Sequence, residues 1–181
     1  MSAFVALLRG VNIGKAKRVP MAELRALLSE LGYTGVATLL NSGNAVFHAS
    51  MGSSATHASG ISSAIAARLQ VDVPVIVKSA RELAAIASEN PLARQAPDPS
   101  RLLVAFAQST AGLSRLAAIE TLVEPPEQFA LGKRAAYLHC PAGILESQAG
   151  AALLGKLGGS VTTRNWATVL KLHALVSGPD A

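Results

Sequence analysis

The stretch Asn90-Pro91-Leu92-Ala93-Arg94-Gln95-Ala96-Pro97-Asp98-Pro99-Ser100 decides how this chain is read, because three prolines in eleven residues break any regular element. The order of elements before it recurs after it. Upstream, Phe4 to Leu8 is a short apolar run with the character of a buried strand. Pro20 opens a helix at its first position, Met21, Leu24, Leu28 and Leu31 repeat at helical spacing, and Gly32 closes it. Val36 to Leu40 and Ala45 to His48 are strands around the turn Asn41-Ser42-Gly43-Asn44. Residues 50–60, rich in Ser, Gly and Ala, suggest a mobile loop. A helix carrying Ile61, Ile65 and Leu69 follows, then a strand from Val71 to Val77 and a short helix over 81–88.

Downstream, Leu102 to Ala107 is a strand and Leu113 to Leu122 a helix. Gln128 to Leu131 and Ala135 to His139 form a hairpin around Gly132-Lys133, Gln148 to Leu157 is a helix, and Ser160 to Thr162 a short last strand. Both halves thus spell strand–helix–strand–strand–helix–strand, the split βαβ unit of ferredoxin-like folds. The expected fold class is α+β: residues 1–90 as one half, 91–100 as linker, and 101–181 as the second half with a final helix from about Arg164 to Val176.

Composition narrows the function classes. Of 181 residues 50% are hydrophobic, which excludes disorder, and one Cys excludes a disulfide framework or a Cys-based zinc site. No apolar run approaches the ~18 residues of a bilayer span, and Arg9 follows rather than precedes the apolar N-terminal run, the wrong order for a signal peptide. The expectation is a reduced, soluble, cytoplasmic protein. The net charge of +5 is unevenly placed. Residues 1–25 hold Arg9, Lys15, Lys17, Arg18 and Arg25 against Glu23, and residues 156–181 hold Lys156, Arg164 and Lys171 against Asp180. The middle of the chain is close to neutral, so the two basic ends suggest a positive patch for an anion.

Three segments carry candidate binding chemistry. Gly10-Val11-Asn12-Ile13-Gly14-Lys15 is no P-loop: only three residues separate the glycines, and Ala16 stands where the magnesium-binding hydroxyl belongs. Its glycines form either a turn shaped by sterics or a backbone nest for an anion. Asn41-Ser42-Gly43-Asn44 is first a turn, yet it supplies two amides and a hydroxyl. In Thr162-Thr163-Arg164-Asn165-Trp166 either Thr can cap the last helix, which would place Arg164 in a first turn without an acid. An anion bound there would reverse that unfavourable sign. Trp166 shares a stripe with Val169, Leu170 and His173 and belongs to the core.

Conventional catalytic groups are scarce. His48, His57, His139 and His173 lack metal-ligand spacing, and no G-x-S-x-G elbow is present. His139 and Cys140 are neighbours at a strand end, pointing to opposite faces. Neither metal nor other cofactor is expected.

The segments Leu7-Leu8-Arg9-Gly10-Val11-Asn12-Ile13-Gly14, Val19-Pro20-Met21-Ala22-Glu23-Leu24, Asn41-Ser42-Gly43-Asn44 with Val46-Phe47, Thr162-Thr163-Arg164-Asn165-Trp166 and Val169-Leu170-Lys171-Leu172 resemble the bacterial "domain of unknown function 1697" family. The resemblance spans essentially the whole chain and implies an α+β fold of two ferredoxin-like halves. It implies no activity, cofactor or substrate.

The expected site is therefore Arg9, Asn12, Lys17, Arg18, Asn41, Ser42 and Asn44 with Arg164 and Asn165, holding a small phosphate-bearing or other anionic ligand. A nucleic-acid backbone is the weaker version, because single-strand readers of this fold use exposed aromatics and this chain has few. The first alternative is an enzyme on a small anionic substrate, in which the arginines stabilise charge but no general base is evident. The second is an interaction protein in which these motifs only stabilise structure. No membrane partner is expected, and oligomeric state is not legible.

Overall fold

The computed structural model describes residues 1–178; residues 179–181, including Asp180, lie outside the described residues. The chain divides into two compact units, Met1–Leu83 with Leu172 onward, and Ala84–Lys171. In chain order the elements are β1 (Ser2–Leu8), α1 (Met21–Glu30), β2 (Thr34–Leu39), β3 (Asn44–Ala49), α2 (Ser54–Leu69), β4 (Val75–Ser79) and α3 (Ala80–Ser88). After a 3-10 turn at Pro99–Arg101 come β5 (Leu102–Ala107), α4 (Thr110–Ser114), β6 (Gln128–Leu131), β7 (Ala135–His139), α5 (Gln148–Leu154), β8 (Val161–Asn165) and α6 (Trp166–Val176).

Both sheets are antiparallel, ordered β2-β3-β1-β4 and β6-β7-β5-β8. Each is a split βαβ unit, so the α+β class with two ferredoxin-like halves holds. In the first unit Phe4 lies opposite Phe47, and Ala6 opposite Ala45 and Val77. With Leu8 they meet Leu24 and Leu28 of α1 and Ile61 and Ile65 of α2, spaced by one helical turn. Each such burial contributes about 1.5–3 kcal/mol. The other face of β1, Val5 and Leu7, is equally buried, which is why the strand reads as a continuous apolar run. On that side Ala174, Leu175 and Val176 line a groove with Ala3, Ala37, Val46 and His48. The second unit packs Ala105, Ala107, Leu138 and Val161 against Leu113, Leu116, Ile119 and Leu153.

Before β8, four boundaries depart from the sequence reading by more than two residues. Residues 54–60 are helical, not a loop. The Ser53 hydroxyl accepts the Thr56 amide at 3.1 Å, and the Ser/Ala run that suggested a loop is a cap followed by strong helix formers. β4 starts at Val75 rather than Val71, after Pro74, whose carbonyl accepts the Arg9 amide. The expected helix over 113–122 is a five-residue α-helix continued as 3-10 helix, where the Ser114 hydroxyl donates to the Thr110 carbonyl. The helix expected to reach Leu157 stops at Leu154, before Gly155, Gly158 and Gly159.

Glu82 joins two helix starts. Its amide donates to the Ser79 hydroxyl at 3.2 Å, while its Oε2 accepts the Ser79 amide at 2.8 Å and the Ser54 hydroxyl at 2.6 Å. This is a capping box extended to α2, whose first turn has no acid of its own. Buried Lys78 places Nζ 4.0 Å from Oε1. Burial pushes the Glu82 carboxyl up, but Ser54, Ser79 and Lys78 outweigh it and hold it below its ordinary value. Burial likewise lowers the Lys78 ammonium, against the pull of Glu82. Glu82→Gln is expected to destabilise the protein by about 2 kcal/mol, leaving a buried cation without its counter-ion. A depressed carboxyl contributes stability that is present above its unfolded value and lost in acid. In urea unfolding the deficit should therefore shrink as the pH falls below about 4.

No helix among the described residues is long and apolar enough to cross a membrane.

Candidate functional site

The loop after β1 is built on four left-handed residues: Gly10 (φ +66°), Asn12 (φ +58°), Gly14 (φ +63°) and Lys17 (φ +48°). Asn is the residue that tolerates this region best after glycine; Lys is not. Asn12 holds the loop. Its Nδ2 donates to the Val19 carbonyl at 2.9 Å and to the Asn41 carbonyl at 2.7 Å, and its Oδ1 accepts the Val19 amide at 2.9 Å. Its backbone amide donates to the Lys17 carbonyl at 3.1 Å. One side chain thus closes its own loop and docks it on the β2–β3 hairpin.

The hairpin is fixed in turn from within. The Leu8 amide donates to the Gly43 carbonyl at 2.8 Å. Asn44 Nδ2 donates to the Leu39 carbonyl and to the Ser42 hydroxyl, both at 2.9 Å. A Cβ on Gly43 (φ +81°) would come within 2.7 Å of Leu8 Cβ and Val11 Cγ2, so glycine is required by space and by backbone conformation.

The first unit therefore brings together Arg9, Asn12, Lys17, Arg18, Asn41, Ser42 and Asn44. Lys15, Lys17 and Arg18 are exposed, as are Asn41 and Ser42; Arg9 is half-buried. Asn44 is wholly buried and acts as a strut of the turn. The exposed Ile13 at the loop tip (74%) adds an apolar group beside the cations. Glu23, the nearest acid in sequence, meets Arg68 Nε at 3.2 Å, and Arg68 also bonds Glu30 at 2.6 Å.

Arg164 and Asn165 belong to the second unit, and their local structure corrects the sequence reading. Arg164 is not in the first turn of a helix. It lies on β8 opposite Val104, because Val161, Thr162 and Thr163 continue the strand along β5. Its Nη1 donates to the Thr162 hydroxyl at 2.8 Å and to the Thr163 carbonyl at 2.7 Å. Burial lowers the guanidinium to about 10. The cap of α6 is Asn165, whose Oδ1 accepts the Thr168 amide at 2.9 Å, and not a threonine. Trp166 is buried as expected, but its buried apolar neighbours on α6 are Val169 and Leu172; Leu170, expected on the same stripe, is 45% exposed.

Two features escaped the sequence reading. The Lys78–Glu82 pair was signalled by Ser79-x-x-Glu82, a capping-box pattern. The other is His57, whose Nδ1 is 2.8 Å from the Tyr33 hydroxyl inside an aromatic cluster. Cys140 is buried, and burial pushes its thiol up, which suits an inert packing residue. No group of three or more His, Cys, Asp or Glu among the described residues is arranged to hold a metal.

A solved structure titled as that of conserved bacterial protein SP0830 from Streptococcus pneumoniae is similar over 97% of this chain and 98% of that one, with a TM-score of 0.81 and 24% identity. That likeness shows the shared fold. No curated protein matches the sequence. A family model described as "Protein of unknown function (DUF1697)" matches residues 1–137, which include the basic loop and the hairpin and stop short of the Thr162–Trp166 motif. The match covers the whole first repeat and the second as far as β7, and the chain belongs to the DUF1697 family.

Proposed function

We propose that the basic loop of the first unit binds the phosphate group of a small ligand. The observation that carries this reading is the Asn12 clamp: it fixes a loop with left-handed Asn12 and Lys17 in a conformation that carries Lys15, Lys17 and Arg18 on its exposed side. Like charges on a strained loop are unfavourable unless something anionic answers them. A rigid base also holds such cations in place for an oxyanion. Arg9, Asn41 and Ser42 border the cations, and Ile13 offers an apolar contact to the rest of the ligand. The enzyme reading loses its nearest carboxylate base, since Glu23 is paired with Arg68.

The test is thermal unfolding with inorganic pyrophosphate, adenosine monophosphate and a single-stranded oligonucleotide, each at 20 and 200 mM salt. A ligand that binds only the folded state raises the melting temperature with concentration. Pyrophosphate and the nucleotide should stabilise the wild type at low salt, and the Lys17→Ala/Arg18→Ala double variant should lose most of that shift. A response to the oligonucleotide alone would replace the small ligand with a nucleic-acid backbone. Absence of any shift at low salt would overturn the reading. Arg164→Ala is the separate test of the second unit's cation: a lower melting temperature with an undiminished phosphate shift leaves it a strand residue.

A further inference from the structure

His57 is 5% exposed near the start of α2, where its amide closes the first turn on the Ser53 carbonyl at 3.0 Å. Its ring meets Phe4, Tyr33 and Phe47 edge-on, with centroids at 4.6, 5.2 and 5.6 Å. Nδ1 has the Tyr33 hydroxyl as partner; Nε2 is buried with none. A Cβ on Gly52 (φ +109°) would lie 2.7 Å from Cε1 and 2.9 Å from Nε2, so the glycine backbone closes the box on that side. Gly52, Ser53 and Ser54 also form one wall of an open groove of ≈ 480 Å³, with Phe4, Ser79 and Arg81 among its other walls.

This box suits a neutral imidazole. A protonated ring has two N–H donors and no acceptor, and it would find one acceptor, the Tyr33 oxygen, among apolar edges. The groups around it do not compensate. β1 and β3 present Phe4 and Phe47, and the turn after α1 presents Tyr33, the sole titratable group among these ring contacts. The first turn of α2 has no acid. Glu82 of α3 faces that turn but is bound to Ser54 and Ser79 beside Lys78, and Arg81 lies on the groove wall. Glu23 and Glu30 of α1 are held by Arg68, about three turns further along α2.

We propose that His57 is a proton-operated latch: proton uptake by its imidazole releases residues 52–57, the segment that opens α2, and widens the groove they line. The inference is independent of the phosphate reading, which concerns a different loop. Its energetic direction follows from burial, which lowers the histidine from its ordinary value of 6.5. The closed state favours the neutral ring and the open state regains the ordinary value. Opening is therefore flat in pH above about 6.5 and rises by up to tenfold per unit below it, until the closed state also protonates.

Amide hydrogen exchange followed by NMR between pH 7.5 and 5.0, corrected for intrinsic exchange, tests this. Protection at residues 56–58 of the wild type should fall below pH 6.5, by no more than about tenfold per unit, while the amides of β1 and β3 keep theirs. His57→Asn, which preserves a partner for Tyr33, and His57→Phe, which preserves an aromatic ring, should both show no such pH dependence. Protection that does not change with pH, an equal change in the two variants, or a parallel loss across β1 and β3 would each overturn the latch.

Discussion

Asn12→Ala should lower the free energy of unfolding by about 3 kcal/mol, a large loss for a residue in a surface loop. Three side-chain hydrogen bonds disappear, to the Val19 carbonyl and amide and to the Asn41 carbonyl. Each contributes about 0.5–1.5 kcal/mol net, with partial rescue by water because the site is half exposed. Alanine must also hold φ +58°, at a cost of about 1–2 kcal/mol. Asn12→Gly separates the two effects: it removes the bonds and the strain together, so it should be about 1 kcal/mol less damaging than Asn12→Ala. Equal urea midpoints for the two variants would mean that the left-handed backbone costs nothing here. The phosphate response gives a second reading. If the clamp presents the cations, Asn12→Gly weakens the pyrophosphate shift although it removes no charge, whereas Lys17→Ala/Arg18→Ala weakens it with little effect on stability.

How far such a loop is legible depends on what signals it. The glycines, the asparagine and the run of cations at 9–18 all stand in the sequence, and so does the hairpin at 41–44. The bond between Asn12 and Asn41 spans 29 residues and follows only from the β1–β3 register. β5, β6 and β7 lie where the short, largely apolar runs and the flanking Pro and Gly place them. The start of α2 was hidden because Ser, Ala, Thr and Gly are loop composition as readily as a capped alanine helix.

The second half of β8, beyond the short strand expected at Ser160 to Thr162, was hidden for another reason: a strand that buries a charged residue breaks the pattern by which strands are found. Register explains it. Lys78 on β4 sits opposite Val5 of β1, and Arg164 on β8 sits opposite Val104 of β5. Each buried cation is followed by one polar capping residue, Ser79 or Asn165, and then directly by a helix. The two repeats thus share a device, cation–cap–helix, that residue identity conceals because Lys-Ser and Arg-Asn do not align by eye. The motif at 162–166 was recognisable, but its role was misplaced by one secondary-structure element.

The largest stability effect is expected at Phe47. It is wholly buried on β3, its ring centroid 4.3 Å from Tyr33 and 5.5 Å from Phe4, with His57 edge-on. Phe47→Ala removes a core ring and leaves a cavity that β-sheet neighbours cannot close, at a cost of about 3–5 kcal/mol; Phe47→Leu, which keeps most of the volume, should cost about 1–2 kcal/mol. The pH dependence of that loss is informative. In the wild type, burial disfavours the charged His57, so folding is penalised in acid between the ordinary histidine value and the lowered one. With Phe47 gone, water reaches the imidazole and its pKa returns toward 6.5, which removes the acid penalty from the variant alone. The deficit of Phe47→Ala should therefore be full at pH 7.5 and smaller at pH 5.0 in urea unfolding. The same deficit at both pH values would show that the aromatic cluster does not set the protonation of His57. A deficit that narrows would tie the core of the first unit to the latch at the start of α2.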